Sequence, residues 1–267
     1  MFQARNLLVR GPHFSNGYFA NGIVVKNAWY PMLDNVKITS EYGDSHGKMA
    51  AGFALLDCYS PLVDKCYFWG GAEYGLLYRS EIDSEDGIVS DCYFVGQDTG
   101  IRVRLSARTD GWGEPAFHLT DSHIHYKVKG LALKGIRQGF VSGNLFYCFN
   151  RAASRWHADP DSVSSYTSKD IECDAVNDFI VSHNQFAEPA SPKRVCIDIL
   201  PNSGNLLIDG NIFNMDGTAI RNRSQVSSRC IGNVYTGSPD FTKSADGANA
   251  LIRYVDPNGT LKTLDFE

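Results

Sequence analysis

The sequence predicts an all-β solenoid of about eight to nine stacked coils. Three observations predict it: a recurrent six-residue phrase, a second phrase at constant distance from the first, and a composition that favours strands and turns over helices. The six-residue phrase reads apolar, any, turn residue, small residue or Asn, any, large apolar. It occurs as Leu33 to Ile38, Val63 to Phe68, Val89 to Phe94, Leu119 to Ile124, Val141 to Phe146, Val181 to Phe186, Ile208 to Phe213 and Cys230 to Tyr235. Its fourth position, from Val36 to Asn233, spans 197 residues in seven intervals, a mean of about 28. A period in this range is the mark of a chain built from stacked supersecondary units, none of which can bury its apolar face alone.

The second phrase is an alternating strand that often opens with Gly: Gly22-Ile23-Val24-Val25, Gly52-Phe53-Ala54-Leu55, Gly75-Leu76-Leu77-Tyr78, Gly100-Ile101-Arg102-Val103 and Gly130-Leu131-Ala132-Leu133. Ten residues separate Ile23 from Leu33, Phe53 from Val63, Leu131 from Val141, Ile171 from Val181 and Ile220 from Cys230. Chance would scatter that distance. One coil is therefore two or three short strands joined by corners. The corner within the first phrase carries Asn35, Lys65, Asp91, Asp121, Gly143, His183, Gly210 or Gly232, mostly residue types that tolerate a positive φ and so allow a sharp bend. The next residue then points inward. Stacking would set Asn144, Asn184, Asn211 and Asn233 in a buried ladder, continued by Ser122, Cys92 and Cys66, beside a mostly aromatic stack from Ile38 to Tyr235.

Composition agrees with a packed core. Of 267 residues 43% are hydrophobic and 21% charged, with 25 Gly, 15 Phe and 13 Tyr. A net charge of -5 gives no bulk basic footprint for phosphates, so nucleic acid is not expected as a partner. A membrane is not expected either, because no apolar run reaches the roughly 18 residues of a spanning helix. The seven cysteines show no CxxC and no Cys/His quartet, so they read as reduced core residues. No cofactor and no metal is expected.

In these features the chain resembles the right-handed parallel β-helix of pectin-lyase-like proteins, and within it the polysaccharide-degrading tailspikes of bacteriophages. The resemblance implies a β-helix domain over residues 1–255, with residues 256–267 as a C-terminal turn and strand extension. The pattern begins almost at Met1 with Ala4-Arg5-Asn6-Leu7 and no capping helix. An uncapped edge invites strand addition, so the chain is expected to be the central piece of something longer. The Asn-Thr-Asp, Asp-Asp, Gly-His-Gly and Arg-Ile-Lys set of polygalacturonases is missing, as is the Arg-rich motif of calcium pectate lyases, which disfavours those activities. The resemblance further implies a bacterial surface polysaccharide (capsule, exopolysaccharide or O-antigen) as partner, a side-by-side homotrimer, and a location on a virion tail or outside the cell.

Candidate chemistry follows from the second phrase, whose alternate residues face outward and stack into rows about 4.8 Å apart. Reading along the coils, a cationic stretch of Arg79, Arg102, Arg104 and Lys134 runs into an acidic one of Glu172, Asp174 and Asp198, then returns to Arg221 and Arg223. Such a face is either a solvated surface with paired charges or the floor of a groove. Extra loops at Thr39 to Ala51, Ser106 to Ala116 and Tyr147 to Lys169 favour the groove, since long loops in a solenoid need a reason. They carry Arg108, Trp112, Trp156 and His157, residue types that bind sugars by stacking and by charge-assisted hydrogen bonds. For hydrolysis, Asp174 and Asp198 are expected at matching positions of adjacent coils, with Glu172 diagonal to Asp198 as a third member. Crowding would raise one pKa and divide the pair into acid and base. For elimination on a uronate, the cations would neutralise the sugar carboxylate and His157 would be the base. A non-catalytic glycan-recognising shaft and a sugar epimerase are the other readings. His123 and His125 should face one way and His118 another, and the Asp256-Pro257-Asn258-Gly259 turn should close a terminal hairpin or a strand that pairs with a neighbouring chain.

Overall fold

The computed structural model describes residues 2–10, 21–39, 49–81, 85–106, 115–148, 168–187, 194–214, 217–226, 228–236, 239–243, 252–255 and 261–264. Within these the chain is all-β and forms a parallel β-helix. Each coil contributes a strand to three sheets in turn. The first sheet contains Asn21–Lys26, Met49–Leu56, Ala72–Ser80, the second halves of Tyr93–Leu105 and His123–Lys134, then Lys169–Asp174, Val195–Ile199 and Gly217–Asn222. The second runs from Gln3–Arg5 and Met32–Asp34 through Ala116–Thr120 to Gly204–Asp209 and Arg229–Thr236. The third, short-stranded, includes Tyr67–Trp69, Leu145–Cys148, Gln185–Ala187 and Ile212–Asn214. About six turns are counted, fewer than the eight to nine that the repeats suggest. At the two ends, Gln3–Arg5 with Leu8–Arg10, and Pro239–Lys243 with Ile252–Val255, supply only parts of a coil. Leu261–Leu264 folds back antiparallel on Ile252–Val255.

The corner between the second and third sheets has the expected conformation in all eight copies. Asn35, Lys65, Asp91, Asp121 and His183 have φ between 50° and 54°, and Gly143, Gly210 and Gly232 between 62° and 73°. That bend aims the next side chain into the core, where a polar group must find partners. The asparagines find them in each other. Asn144 Nδ2 donates to Asn184 Oδ1 at 2.9 Å, Asn184 to Asn211 at 3.0 Å and Asn211 to Asn233 at 2.9 Å. Each Oδ1 also accepts the backbone N–H of the preceding rung, and each Nδ2 also reaches a backbone carbonyl of the neighbouring coil. The ladder continues through Ser122, whose amide donates to Asn144 Oδ1, and into Cys92 and Cys66, which make weaker sulfur contacts. All seven cysteines are buried and unbridged.

Beside the ladder, Phe146, Phe186, Phe213 and Tyr235 stack with ring centroids 4.7 to 5.4 Å apart. The strand-opening glycines form a column for a steric reason. A Cβ on Gly75 would lie 2.4 Å from the carbonyl oxygen of Gly100, and one on Gly22 would lie 2.4 Å from that of Gly52. Only Gly lets successive coils approach there.

Replacing Asn211 with Ala leaves the amide and Nδ2 of Asn184, and the Oδ1 of Asn233, each short of a buried partner. We expect a loss of about 3 kcal/mol in urea unfolding. An effect within about 0.5 kcal/mol would show that the ladder carries no stability.

Candidate functional site

The outer surface of the first sheet consists of two neighbouring columns. One is Val24, Ala54, Leu77, Arg102, Ala132, Glu172, Asp198, Arg221. The other is Lys26, Leu56, Arg79, Arg104, Lys134, Asp174. Leu200 and then Arg223 continue this second column, their amides bonded to the carbonyls of Cys173 and Ile199 respectively. The cationic stretch read from the sequence is therefore contiguous. Arg79 and Arg104 are register partners on adjacent coils, Arg104 is also the partner of Lys134, and Arg102 lies over the Tyr74 ring at 5.7 Å. Among the described residues no carboxylate pairs with Arg79, Arg102 or Arg104.

The acidic stretch differs from expectation in one respect. Glu172, not Asp174, is the direct neighbour of Asp198, because Ile171 pairs with Ile197 and Cys173 with Ile199. Asp174 is instead the partner of Lys134, whose Nζ lies 2.7 Å away. The Asp174–Asp198 pairing is thus corrected by a shift of two residues, which leaves each side chain on its face. Cys196 is fully buried, like the other cysteines.

Nor does crowding raise a pKa here. The Asp198 side chain is 0% exposed and takes bidentate hydrogen bonds from Arg221 (3.0 and 2.7 Å) and from Arg223 (3.1 and 2.6 Å), with Lys169 Nζ at 2.9 Å. Burial alone pushes its pKa up, but the bonds from Arg221, Lys169 and Arg223 outweigh it and hold the carboxyl at about 2. Glu172 behaves alike: burial raises its pKa, while Lys129, at 2.6 Å, and Lys169 bring it below the usual carboxylate range. Both groups are anions bound to cations, and Asp174 is the most exposed carboxylate of the three.

Arg108, Trp112, Trp156 and His157 lie outside the described residues. A feature not singled out in the sequence stands at the corner that follows the same strands. Trp29, 61% exposed, stacks on Tyr59 with centroids 4.7 Å apart, and Tyr30, 54% exposed, meets both rings edge-on. The signal was present: Ala28-Trp29-Tyr30-Pro31 and Cys58-Tyr59-Ser60-Pro61 are aligned copies one coil apart, with Trp29 and Tyr59 three residues after Lys26 and Leu56 respectively. An exposed, stacked indole is a flat apolar platform of the kind that receives the C–H face of a sugar. His123 and His125 share a face of the third sheet, with centroids 6.1 Å apart, and His118 packs on Phe140 of the second sheet, as their strand positions imply.

No protein-family model and no curated protein sequence matches the chain. Its architecture is similar to two crystal structures. One is PfbA, a surface adhesin of Streptococcus pneumoniae, at 14% identity over 90% of this chain and 66% of that one, with a TM-score of 0.53. The other is full-length tailspike protein 2 of the Escherichia coli O157:H7 bacteriophage CAB120, at 10% identity over 90% of this chain and 40% of that one, with a TM-score of 0.51. The chain spans less than two thirds of either protein. These likenesses show the fold, a parallel β-helix shared with a surface adhesin and a tailspike protein.

Because the Asp198 pKa lies below its ordinary value of 3.8, the carboxylate contributes stability that is complete above about pH 4 and is lost as the pH falls toward 2. That contribution is about 2 kcal/mol. Asp198→Asn is therefore expected to destabilise strongly at pH 7, and the gap from wild type should narrow by about 2 kcal/mol between pH 7 and pH 2 in denaturant titrations. A gap independent of pH would show that the ion cluster does not hold Asp198 as described.

Proposed function

We propose that the first sheet binds an acidic bacterial surface polysaccharide on a virion tail or extracellular fibre. The observation that carries this is the run of Arg79, Arg102 and Arg104 without a carboxylate partner among the described residues, next to the exposed Trp29–Tyr59 stack. Like charges on adjacent coils repel, and an external carboxylate or sulfate relieves that repulsion with charge-assisted bonds. The aromatic corner supplies stacking for an uncharged sugar. A glycan uses both kinds of contact, whereas a simple anion uses only the first. Tailspike and adhesin neighbours of the same fold are consistent with such a surface role.

Binding without cleavage is the reading that the carboxylates favour. Glycoside hydrolysis needs one carboxyl that is protonated near neutral pH, and Asp198 and Glu172 are both held ionised. Cleavage is the second reading, supported by Asp174, which is partly exposed and whose carboxylate touches only Lys134 among the described residues. A panel of capsular and lipopolysaccharide glycans separates the two. Arg79→Ala/Arg104→Ala and Trp29→Ala should each weaken binding of an acidic glycan at least tenfold, more severely at low salt for the arginines. In the binding-only reading neither reducing ends nor an unsaturated uronate absorbing in the near ultraviolet accumulates. Products that disappear in Asp174→Asn would establish cleavage in its place.

The homotrimer is proposed to form through the outer column of the second sheet. Met32, Leu62, Ile88, His118, Phe140, Ile180 and Leu207 follow one another there, with Ile88 and Ile180 40% and 41% exposed. An apolar stripe repeating at every rung offers a like stripe of a parallel copy matching rungs along its length. Ile88→Glu/Ile180→Glu should convert a trimer to a monomer in light scattering. A wild-type chain that is monomeric at high concentration would remove this assignment.

A further inference from the structure

The first sheet repeats one local sequence at two heights. Gly100-Ile101-Arg102-Val103-Arg104 and Ala219-Ile220-Arg221-Asn222-Arg223 both place two arginines outward on one strand, in the same two columns. From Arg102 the column passes Ala132, Glu172 and Asp198 to reach Arg221, so four rungs of about 4.8 Å separate the pairs by about 19 Å. The lower pair is joined by Arg79 and has no carboxylate partner among the described residues. The upper pair is fixed on Asp198, each guanidinium through Nε and Nη2, which leaves Nη1 of both without a hydrogen bond among the described residues.

Charge bookkeeping makes these two places distinct from what lies between. Around the upper pair, Lys129, Lys169, Arg221 and Arg223 face only Glu172 and Asp198 among the described residues, so these six groups together carry two positive charges. Between the poles, Lys134 and Asp174 cancel and Ala132 is neutral. A chain carrying a carboxylate on every sugar would press several anions against this neutral strip and against Asp174. A chain with widely spaced charges would not.

We infer that this face is built for a linear glycan whose acidic groups recur about every fourth sugar, one on Arg79, Arg102 and Arg104 and the next on Arg221 and Arg223. One pyranose unit advances such a chain by about one rung, so neutral sugars cover the strip between the poles. The inference rests on the acidic-glycan reading above and adds to it the direction of the ligand, along the coil axis, and its charge spacing. Occupying both poles makes the second contact intramolecular, which raises affinity without any new kind of contact.

The test uses sodium gellan fragments, whose linear tetrasaccharide repeat holds a single glucuronate, in calorimetric titrations at low salt. A fragment of two repeats should bind the wild-type chain at least tenfold more tightly than a fragment of one repeat. The gain should vanish in Arg102→Gln/Arg104→Gln and in Arg223→Gln, which leaves Arg221 and Lys169 on Asp198. The first variant breaks no ion pair among the described residues, so it reports even where the second fails to fold. Equal binding of the two fragments, or tighter binding of a polygalacturonate fragment of the same length, overturns the charge spacing while the acidic-glycan reading stands. Binding of none of these acidic fragments overturns both.

Discussion

Everything on the surface of this protein is positioned by one buried requirement, that a right-angle corner turns a polar side chain inward and must then satisfy it. A corner with φ near 50° and a single inward residue leaves no water to bond that residue. Asn solves the problem because its amide donates and accepts at once, so each rung completes the one before it. The bond also sets the height of every coil. An Asn pair satisfied at about 2.9 Å holds neighbouring corners in register, and the outward columns of the first sheet inherit that spacing. Where the slot is filled by Val36, Cys66 and Cys92 the corner keeps the same φ, with sulfur contacts at Cys66 and Cys92 in place of the amide bonds, and the glycine column lets those coils pack closely.

This explains which parts were legible in the sequence. The corner phrase reads clearly because φ, burial and hydrogen bonding restrict its third and fourth positions together, and even Lys65 and His183 take the left-handed conformation when the repeat demands it. The columns of the first sheet read correctly from Val24 to Asp174 for a different reason: the opening glycine, or the ten-residue distance to the next phrase, fixes where each strand starts. Asp198 was misplaced because a shift of two residues leaves an alternating strand with the same faces, so hydrophobic pattern cannot detect it. The spacing could have. Ile197 lies eleven residues before Ile208, one more than from Ile171 to Val181, and the extra residue is taken up in the turn that Ser203 closes on the carbonyl of Leu200. The Trp29–Tyr59 corner went unread because it belongs to neither phrase, although its two copies are aligned.

The corrected register also changes what the acidic residues are for. Asp198, expected to crowd Asp174 as acid and base, instead shares four cations with Glu172, and both Asp198 and Glu172 are pulled toward ionisation. A buried carboxylate bonded through both oxygens to two guanidiniums costs desolvation, and little is gained in stability over an apolar pair of the same shape. What it does supply is geometry. Arg221 and Arg223 would repel each other on an exposed strand, and Asp198 holds them parallel with one edge each turned away from it. Arg79, Arg102 and Arg104 have no such anchor among the described residues, only the Tyr74 ring beneath Arg102. One pole is therefore pre-organised by an internal anion, the other is the one that the proposed glycan would complete, and the sheet between them, set to a fixed rise by the asparagines inside, is the ruler that relates the two.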